Sequence, residues 1–177
     1  MINFILFQIG WFACVWGAAN DYGWLGPILV AITVPLQVYL LTERYNEETR
    51  FVIICGSTGF LLETVLILGN VYLPGGQLDV WLCPPWMAAL WFNFAMLISI
   101  SLSWLKGKHL LAAILGGLAG PVAYWGGEKL GAITVADAFW AGYFPLALLW
   151  ALVLPFLVHT HSRLTTRKLM RSAAGQP

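Results

Sequence analysis

Residues 51–68 decide the fold, and they read FVIICGSTGFLLETVLIL. A membrane-spanning helix needs about 20 mostly apolar residues, and this run approaches that length with a single charged side chain inside it. Its apolar residues are continuous, whereas a strand of a membrane barrel alternates apolar with polar residues. Helices also satisfy their backbone hydrogen bonds within one segment, as a lipid environment requires. The run therefore predicts a membrane-spanning helix.

Five similar runs lie on both sides of this one, and together they predict an all-α fold, a polytopic bundle of six transmembrane helices. The predicted spans comprise residues 3–19, 25–41, 51–68, 86–105, 110–125 and 138–158. The first run lacks the basic segment of a signal peptide, so we expect it to be retained. We predict one transmembrane domain, residues 1–158, followed by a basic cytoplasmic tail, residues 159–177.

The composition of the whole chain agrees with a membrane protein. Of its 177 residues, 60% are hydrophobic and only 10% are charged. Soluble domains average about 45–50% apolar and about 25% charged residues, which excludes an ordinary soluble enzyme and a disordered chain. The net charge of +1 provides no field that attracts nucleic acid, so no nucleic-acid partner is expected.

The distribution of basic residues predicts the orientation. With the N-terminus in the cytoplasm, the outer connections contain one basic residue, Lys129. The other eight fall on the inner side, which satisfies the positive-inside rule and predicts that both termini are cytoplasmic. These eight are Arg44, Arg50, Lys106, Lys108, Arg163, Arg167, Lys168 and Arg171.

The candidate ligand site centres on Glu63, the acidic side chain deep in the third predicted span. An ionisable group at such depth costs at least about 2.5 kcal/mol, so we expect it to face the bundle interior and to have a partner. Asn93 has a similar depth in the fourth span, and Tyr124 and Glu128 share a face of the fifth helix. We predict that Glu63, Asn93, Tyr124 and Glu128 form a polar pocket in the outer half of the membrane. Alternatively, Glu63 is hydrogen-bonded to Asn93 or Tyr124 and only fixes helix packing.

Small residues next to this site predict close helix contacts. Glycines at three- and four-residue spacing let helices approach each other, and we expect the third and fifth helices to pack together through them. Pro121 removes a backbone donor in mid-helix, so it is expected to kink the fifth helix or to open it toward a cavity. The predicted helix-packing residues are Gly56, Gly59, Gly116, Gly117, Gly120 and Pro121.

The sequence contains no recognisable metal, cofactor or catalytic motif. Cys14, Cys55 and Cys83 lack the spacing of a metal site. His159 and His161 are two residues apart, which points them away from each other on a helix. No catalytic triad order, metalloprotease motif or phosphate-binding loop is present. We therefore expect no metal and no cofactor, and whether the protein is an enzyme stays open.

Three stretches carry a family resemblance. They combine the PPWM motif at residues 84–87, a Gly-Pro pair in the fifth span and an aromatic first span. The residues concerned are Trp11 and Cys14; Pro84, Pro85, Trp86, Met87, Leu90, Trp91, Phe94, Ser101, Leu102, Trp104 and Leu105; and Gly116, Gly120, Pro121, Tyr124, Gly127, Leu130 and Gly131. By this pattern the chain resembles the bacterial family named domain of unknown function 2878. The resemblance covers nearly the whole chain.

The resemblance implies a small multi-pass protein of the bacterial inner (cytoplasmic) membrane, from a family without an established activity. No catalytic residue is carried over from it. Members occur near genes for fatty-acyl or lipid modification, which implies a lipid-related role by association. Membrane lipids are therefore the expected partners, with a homo-oligomer or another membrane protein as further possibilities.

Three functions stay open at this point. The first is a lipid-binding or accessory component of membrane-lipid or fatty-acyl modification, whose apolar cavity has a few polar groups at one end. The second is a small proton-coupled transporter in which Glu63 exchanges protons. The third is a non-catalytic partner subunit in the membrane.

Overall fold

The computed structural model describes residues 1–75 and 82–173, with side chains up to residue 166. Within these ranges the fold is all-α apart from two strands of three residues each. The helices are α1 Ile2–Ala19, α2 Leu25–Leu41, α3 Tyr45–Leu68, α4 Pro85–Met96, α5 His109–Lys129 and α6 Tyr143–Ala173. The strands are β1 Tyr72–Pro74 and β2 Ile133–Val135.

Four of the described helices are long and apolar enough to cross a membrane, namely α1, α3, α5 and the Tyr143–Thr166 part of α6. This confirms the prediction of a multi-pass membrane protein. Helix α2 and helix α4 with its continuation to Ser101 are apolar but shorter. The count of six spans and the cytoplasmic placement of both termini stay predictions.

Helices α3, α5 and α6 extend beyond their predicted apolar runs, and α5 does so by continuing to Lys129. Helix α3 begins at Tyr45 rather than at residue 51, and Glu47 and Glu48 occupy its first turn. Acidic side chains there interact favourably with the positive end of the helix dipole. Helix α6 continues past Val158 to Ala173, so the described part of the predicted tail is a helical extension of α6.

Helix α4 changes its geometry where the sequence predicts one uninterrupted span. At Leu97–Ser101 it widens into a π-helical turn, closed by the Leu102 N–H donating to the Leu97 carbonyl at 2.8 Å, and a 3₁₀ turn follows at Ser103–Leu105. The Met96 carbonyl next to this turn accepts a hydrogen bond from Asn3 Nδ2 at 3.2 Å. Such π turns are frequent at functional sites in helices.

The two strands join the connection after α3 to the connection after α5. They are antiparallel, with Tyr72 opposite Val135 and Pro74 opposite Ile133. The pair is extended by a hydrogen bond from the Gly75 N–H to the Ala132 carbonyl at 2.7 Å. The sequence analysis left both segments in connections, because three residues are too few to show an alternating pattern. This pairing fixes the position of Tyr72.

The expectation that the glycines of α3 and α5 pack against each other is wrong. Helix α3 packs mainly against α4, and α5 packs mainly against α6. A methyl group added at Gly59 would overlap the Trp91 indole of α4, and one added at Gly120 would overlap the Trp150 indole of α6. Each glycine therefore leaves the space that a tryptophan ring occupies at this position.

The other predicted packing residues follow the same division. A methyl group at Gly56 would overlap the Phe92 ring of α4. One at Gly116 would overlap the Trp150 carbonyl, whereas Gly117 has space for a methyl group at ordinary contact distance from α6. Helix α5 is continuous through Pro121. The predicted packing glycines of α3 thus face α4, and those of α5 face α6.

Candidate functional site

The Glu63 carboxyl lies at the centre of a group of aromatic hydrogen-bond donors. Its side chain is 1% exposed. Oε1 accepts hydrogen bonds from Trp91 Nε1 at 2.8 Å and from the Tyr124 hydroxyl at 2.6 Å. Oε2 accepts one from the Tyr72 hydroxyl at 2.7 Å. We call Glu63, Tyr72, Trp91 and Tyr124 the Glu63 cage.

Each donor of the cage comes from a different element. Tyr72 belongs to β1, Trp91 to α4 and Tyr124 to α5, while Glu63 is on α3. The rings of Tyr72 and Tyr124 meet edge to face with 5.4 Å between their centroids. The Trp91 indole stacks on Trp150 of α6 at 5.0 Å and an interplanar angle of 13°. The cage therefore ties α3 to β1, α4 and α5, and through the stacked indoles it reaches α6.

The donor types determine what the cage can do chemically. An indole N–H can only donate, whereas a phenol O–H can donate or accept. Burial raises the pKa of the Tyr72 phenol far above its usual range, and the nearby Glu63 carboxylate acts in the same direction. Tyr72 therefore keeps its proton and remains a donor to the carboxylate. If the Glu63 carboxyl takes up a proton, its O–H can donate a hydrogen bond to a phenol oxygen, which then acts as the acceptor.

Two of the predicted site residues have other hydrogen-bond partners. The buried Asn93 amide donates from Nδ2 to the Phe7 carbonyl at 2.9 Å and so joins α4 to α1. Glu128 accepts from the Val135 N–H at 3.0 Å and from the Tyr143 hydroxyl at 2.7 Å. It thereby fixes β2 and the start of α6. Among the predicted residues, the structure brings Tyr124 into contact with Glu63, while Asn93 and Glu128 hydrogen-bond elsewhere.

Sequence reasoning missed Tyr72 and Trp91. Tyr72 had been left in a connection, and Trp91 was one of ten tryptophans with nothing to mark its register. A usable signal is the rule that a buried carboxyl needs donors. No lysine or arginine is buried among the residues whose side chains the structure describes, so tyrosine and tryptophan supply these donors.

A second buried carboxyl lies at the N-terminal end of α3. The Glu48 oxygens are 3.0 and 3.1 Å from Nε2 of His161 on α6, and Oε2 also accepts from the Ser99 hydroxyl at 2.7 Å. The Phe51 ring packs on the imidazole with 4.7 Å between centroids. Glu48 lies about 22 Å from Glu63 along the helix, at 1.5 Å per residue. The sequence analysis missed this cluster because it placed Glu48 in a connection and His161 in the tail.

A third polar cluster surrounds Asn3 at the π turn. Asn3 Nδ2 donates to Gln37 Oε1 at 2.7 Å, and the Ser101 hydroxyl donates to Asn3 Oδ1 at 2.5 Å. Ser99 and Ser101 therefore connect the π turn to α3 and α1, respectively. Among the residues that the structure describes, no group of three or more His, Cys, Asp or Glu side chains has the arrangement of a metal site.

A groove lies on the surface between α3 and α4. It has a volume of about 350 Å³. Its walls are apolar except for one serine. The lining residues are Gly56, Ser57, Phe60, Leu61, Ala88 and Phe92. Phe92 directly follows Trp91, so one turn of α4 contributes both to the Glu63 cage and to the wall of this groove. We call it the α3–α4 groove.

Comparison with known proteins places the chain in a family. Neither the curated proteins nor the solved structures gave a match. The family described as "Protein of unknown function (DUF2878)" matches residues 1–156, which include the Glu63 cage and the α3–α4 groove. This confirms the resemblance found in the tryptophan, proline and glycine pattern. The chain belongs to the DUF2878 family.

Proposed function

We propose that the protein binds a membrane lipid by holding an acyl chain in the α3–α4 groove. The proposed role is that of a lipid-binding or accessory component of membrane-lipid or fatty-acyl modification in the bacterial inner membrane. The observation that carries the proposal is the groove itself. Its volume of about 350 Å³ falls in the range of small-molecule sites, and its walls are almost entirely apolar.

The shape of the groove matters more than its hydrophobicity. Lipid tails are already in an apolar medium, so binding one tail in preference to its neighbours depends on close van der Waals packing. Gly56 and Ala88 provide the space, and the rings of Phe60 and Phe92 provide flat walls. An acyl chain is the membrane component that suits an apolar groove with so few polar groups.

The Glu63 cage has a positioning role in this proposal. Three side chains of the protein donate hydrogen bonds to the Glu63 carboxyl, and one of these donors is Trp91 of α4. By holding Trp91, the cage sets the rotation of α4 about its axis. That rotation directs Phe92 toward the groove.

The proposal is tested by filling the groove. Ala88→Trp places an indole in it, and Val122→Trp on α5 is the matched control, because Val122 is 63% exposed and does not line the groove. Lipids retained by each purified protein are identified by native mass spectrometry. We expect the wild type and Val122→Trp to retain the same lipid and Ala88→Trp to lose it. Equal retention in all three, with unchanged thermal stability, would refute the proposal.

A second candidate function is proton-coupled transport, and one observation favours it. Helix α3 carries two buried carboxyls, Glu48 and Glu63, and each is held by groups that can exchange donor and acceptor roles. Intramembrane carboxyls of this kind occur in proton relays. Infrared difference spectra of the wild type and Glu63→Gln at stepped pH test this function. A Glu63 carboxyl band that stays unchanged across physiological pH would exclude proton exchange at this residue.

A further inference from the structure

Four basic or imidazole side chains gather at the end of the bundle where α5 begins. They come from the start of α5 and from the α6 segment packed beside it. All four are exposed. They are Lys108, His109, His159 and Arg163. We call this group the basic patch.

The members of the patch are arranged around the contact between the two helices. The imidazole rings of His109 and His159 lie 5.4 Å apart between centroids. Arg163 Nε donates to His159 Nε2 at 3.2 Å, which leaves the rest of the guanidinium free of hydrogen bonds within the described residues. Lys108 Nζ lies 5.3 Å from the centre of the Trp104 ring. Contacts thus link His109, His159 and Arg163 across the two helices, and the exposed Lys108 directly precedes His109 in the chain.

None of the four side chains of the patch forms an ion pair with an acidic residue in the part of the chain that the structure describes. The one ion pair found there joins His161 to Glu48, in the buried cluster described above. Lys106 also interacts electrostatically with Glu48. The four side chains of the patch therefore have unused capacity to bind an anion.

The patch also lies at the boundary of the apolar spans. His109 directly precedes the apolar residues of α5, and His159 directly follows the apolar run of α6 that ends at Val158. Trp104, under the Lys108 ammonium, is a residue type that favours the headgroup level of a bilayer. Side chains at the end of an apolar span are expected at the level of the lipid phosphates.

We propose that the basic patch binds the phosphate group of an anionic phospholipid. The guanidinium offers paired N–H donors that suit phosphate oxygens, the ammonium offers a compact charge, and the histidines offer ring N–H groups. Basic pockets between membrane helices are a known way to bind anionic headgroups. This site is separate from the α3–α4 groove, and the proposal does not depend on the function proposed for that groove.

The test uses nanodiscs that contain phosphatidylglycerol and phosphatidylcholine in equal amounts. After release into detergent, native mass spectrometry gives the ratio of the two lipids bound to the protein. We expect the wild type to be enriched in phosphatidylglycerol. Removing a charge near the surface weakens binding by about fivefold, so the double variant Lys108→Gln/Arg163→Gln should lose about 25-fold in affinity.

The control is Lys129→Gln. Lys129 also lies over a tryptophan, with Nζ 6.0 Å from the centre of Trp125, but it is at the other end of α5. It should keep the wild-type lipid ratio, because its charge lies far from the basic patch. An equal loss in Lys129→Gln, or no loss in the double variant, would overturn the proposal.

Inorganic phosphate distinguishes the two sources of the anion. An excess of phosphate should leave phosphatidylglycerol bound, because the acyl chains of the lipid add contacts along α5 and α6. Displacement of the lipid by phosphate would overturn the assignment to a lipid headgroup. Thermal unfolding of each variant shows whether it is folded, and these exposed substitutions should leave the unfolding temperature unchanged.

Discussion

Replacing Glu63 with alanine removes the acceptor of three buried donors at once, Tyr72, Trp91 and Tyr124. Hydrogen bonds between membrane helices average about 0.6 kcal/mol, which gives a lower limit of about 2 kcal/mol for the three. A buried donor left without a partner costs about 1–3 kcal/mol, which gives an upper limit of about 9 kcal/mol. We therefore expect Glu63→Ala to lower the free energy of unfolding by at least about 2 kcal/mol.

Glutamine at the same position separates hydrogen bonding from charge. Its carbonyl oxygen can still accept from Trp91 and Tyr124, and its amide N–H can donate to the Tyr72 oxygen. Glu63→Gln should therefore cost less than about 1 kcal/mol, the worth of an ordinary hydrogen bond. It should also retain the bound lipid.

Reversible unfolding in mixed detergent micelles, followed by tryptophan fluorescence, measures both variants. A lower limit of about 2 kcal/mol corresponds to roughly a 25-fold change in the ratio of folded to unfolded protein, which this assay resolves. Wild-type stability of Glu63→Ala would show that the cage does not stabilise the fold. Equal destabilisation by glutamine and alanine would show that the negative charge, rather than hydrogen-bond acceptance, holds the donors.

Three further predictions follow from single contacts. Gly59→Ala should displace the Trp91 indole and destabilise the protein by about 1–3 kcal/mol in the same unfolding assay, whereas Gly23→Ala, with nothing near its added methyl group, should not. Ser99→Ala removes a hydrogen bond to the carboxyl at the N-terminal end of α3 and should cost about 0.6–1.5 kcal/mol; no measurable loss would contradict that contact. Since the Tyr72 pKa is raised, the folded wild type and Tyr72→Phe should show equal phenolate absorbance at about pH 10, the ordinary tyrosine pKa, and a difference would contradict the burial of this phenol.

The burial of Glu63 was predictable from the sequence, because exposing an ionised group to lipid is costly whichever helices surround the span. Identifying its partners is harder. The sequence analysis offered Tyr124 and Asn93 as alternatives, and the structure contains the hydrogen bond to Tyr124. Trp91 and Tyr72 depend on the rotation of α4 and on a strand pairing of three residues, and neither leaves a periodic signal in the chain.

Which helices pack against each other could not be predicted from the sequence for a similar reason. The glycines of α3 and α5 were recognised as small surfaces, but spacing alone does not say what fills them. Trp91 and Trp150 fill them, from the next helix along the chain in each case. The Glu48 and His161 pair also lay beyond the sequence, because both residues fall outside the apolar runs and are separated by 113 positions.

The cage has a consequence for biosynthesis. Its donors are made in chain order, Tyr72 first, then Trp91, and finally Tyr124, which lies 61 positions after Glu63. A newly made chain therefore enters the bilayer with this acid only partly paired until the fifth helix leaves the ribosome. The cage is therefore complete only after α5 has been synthesised, when the Tyr124 hydroxyl becomes available to the Glu63 carboxyl.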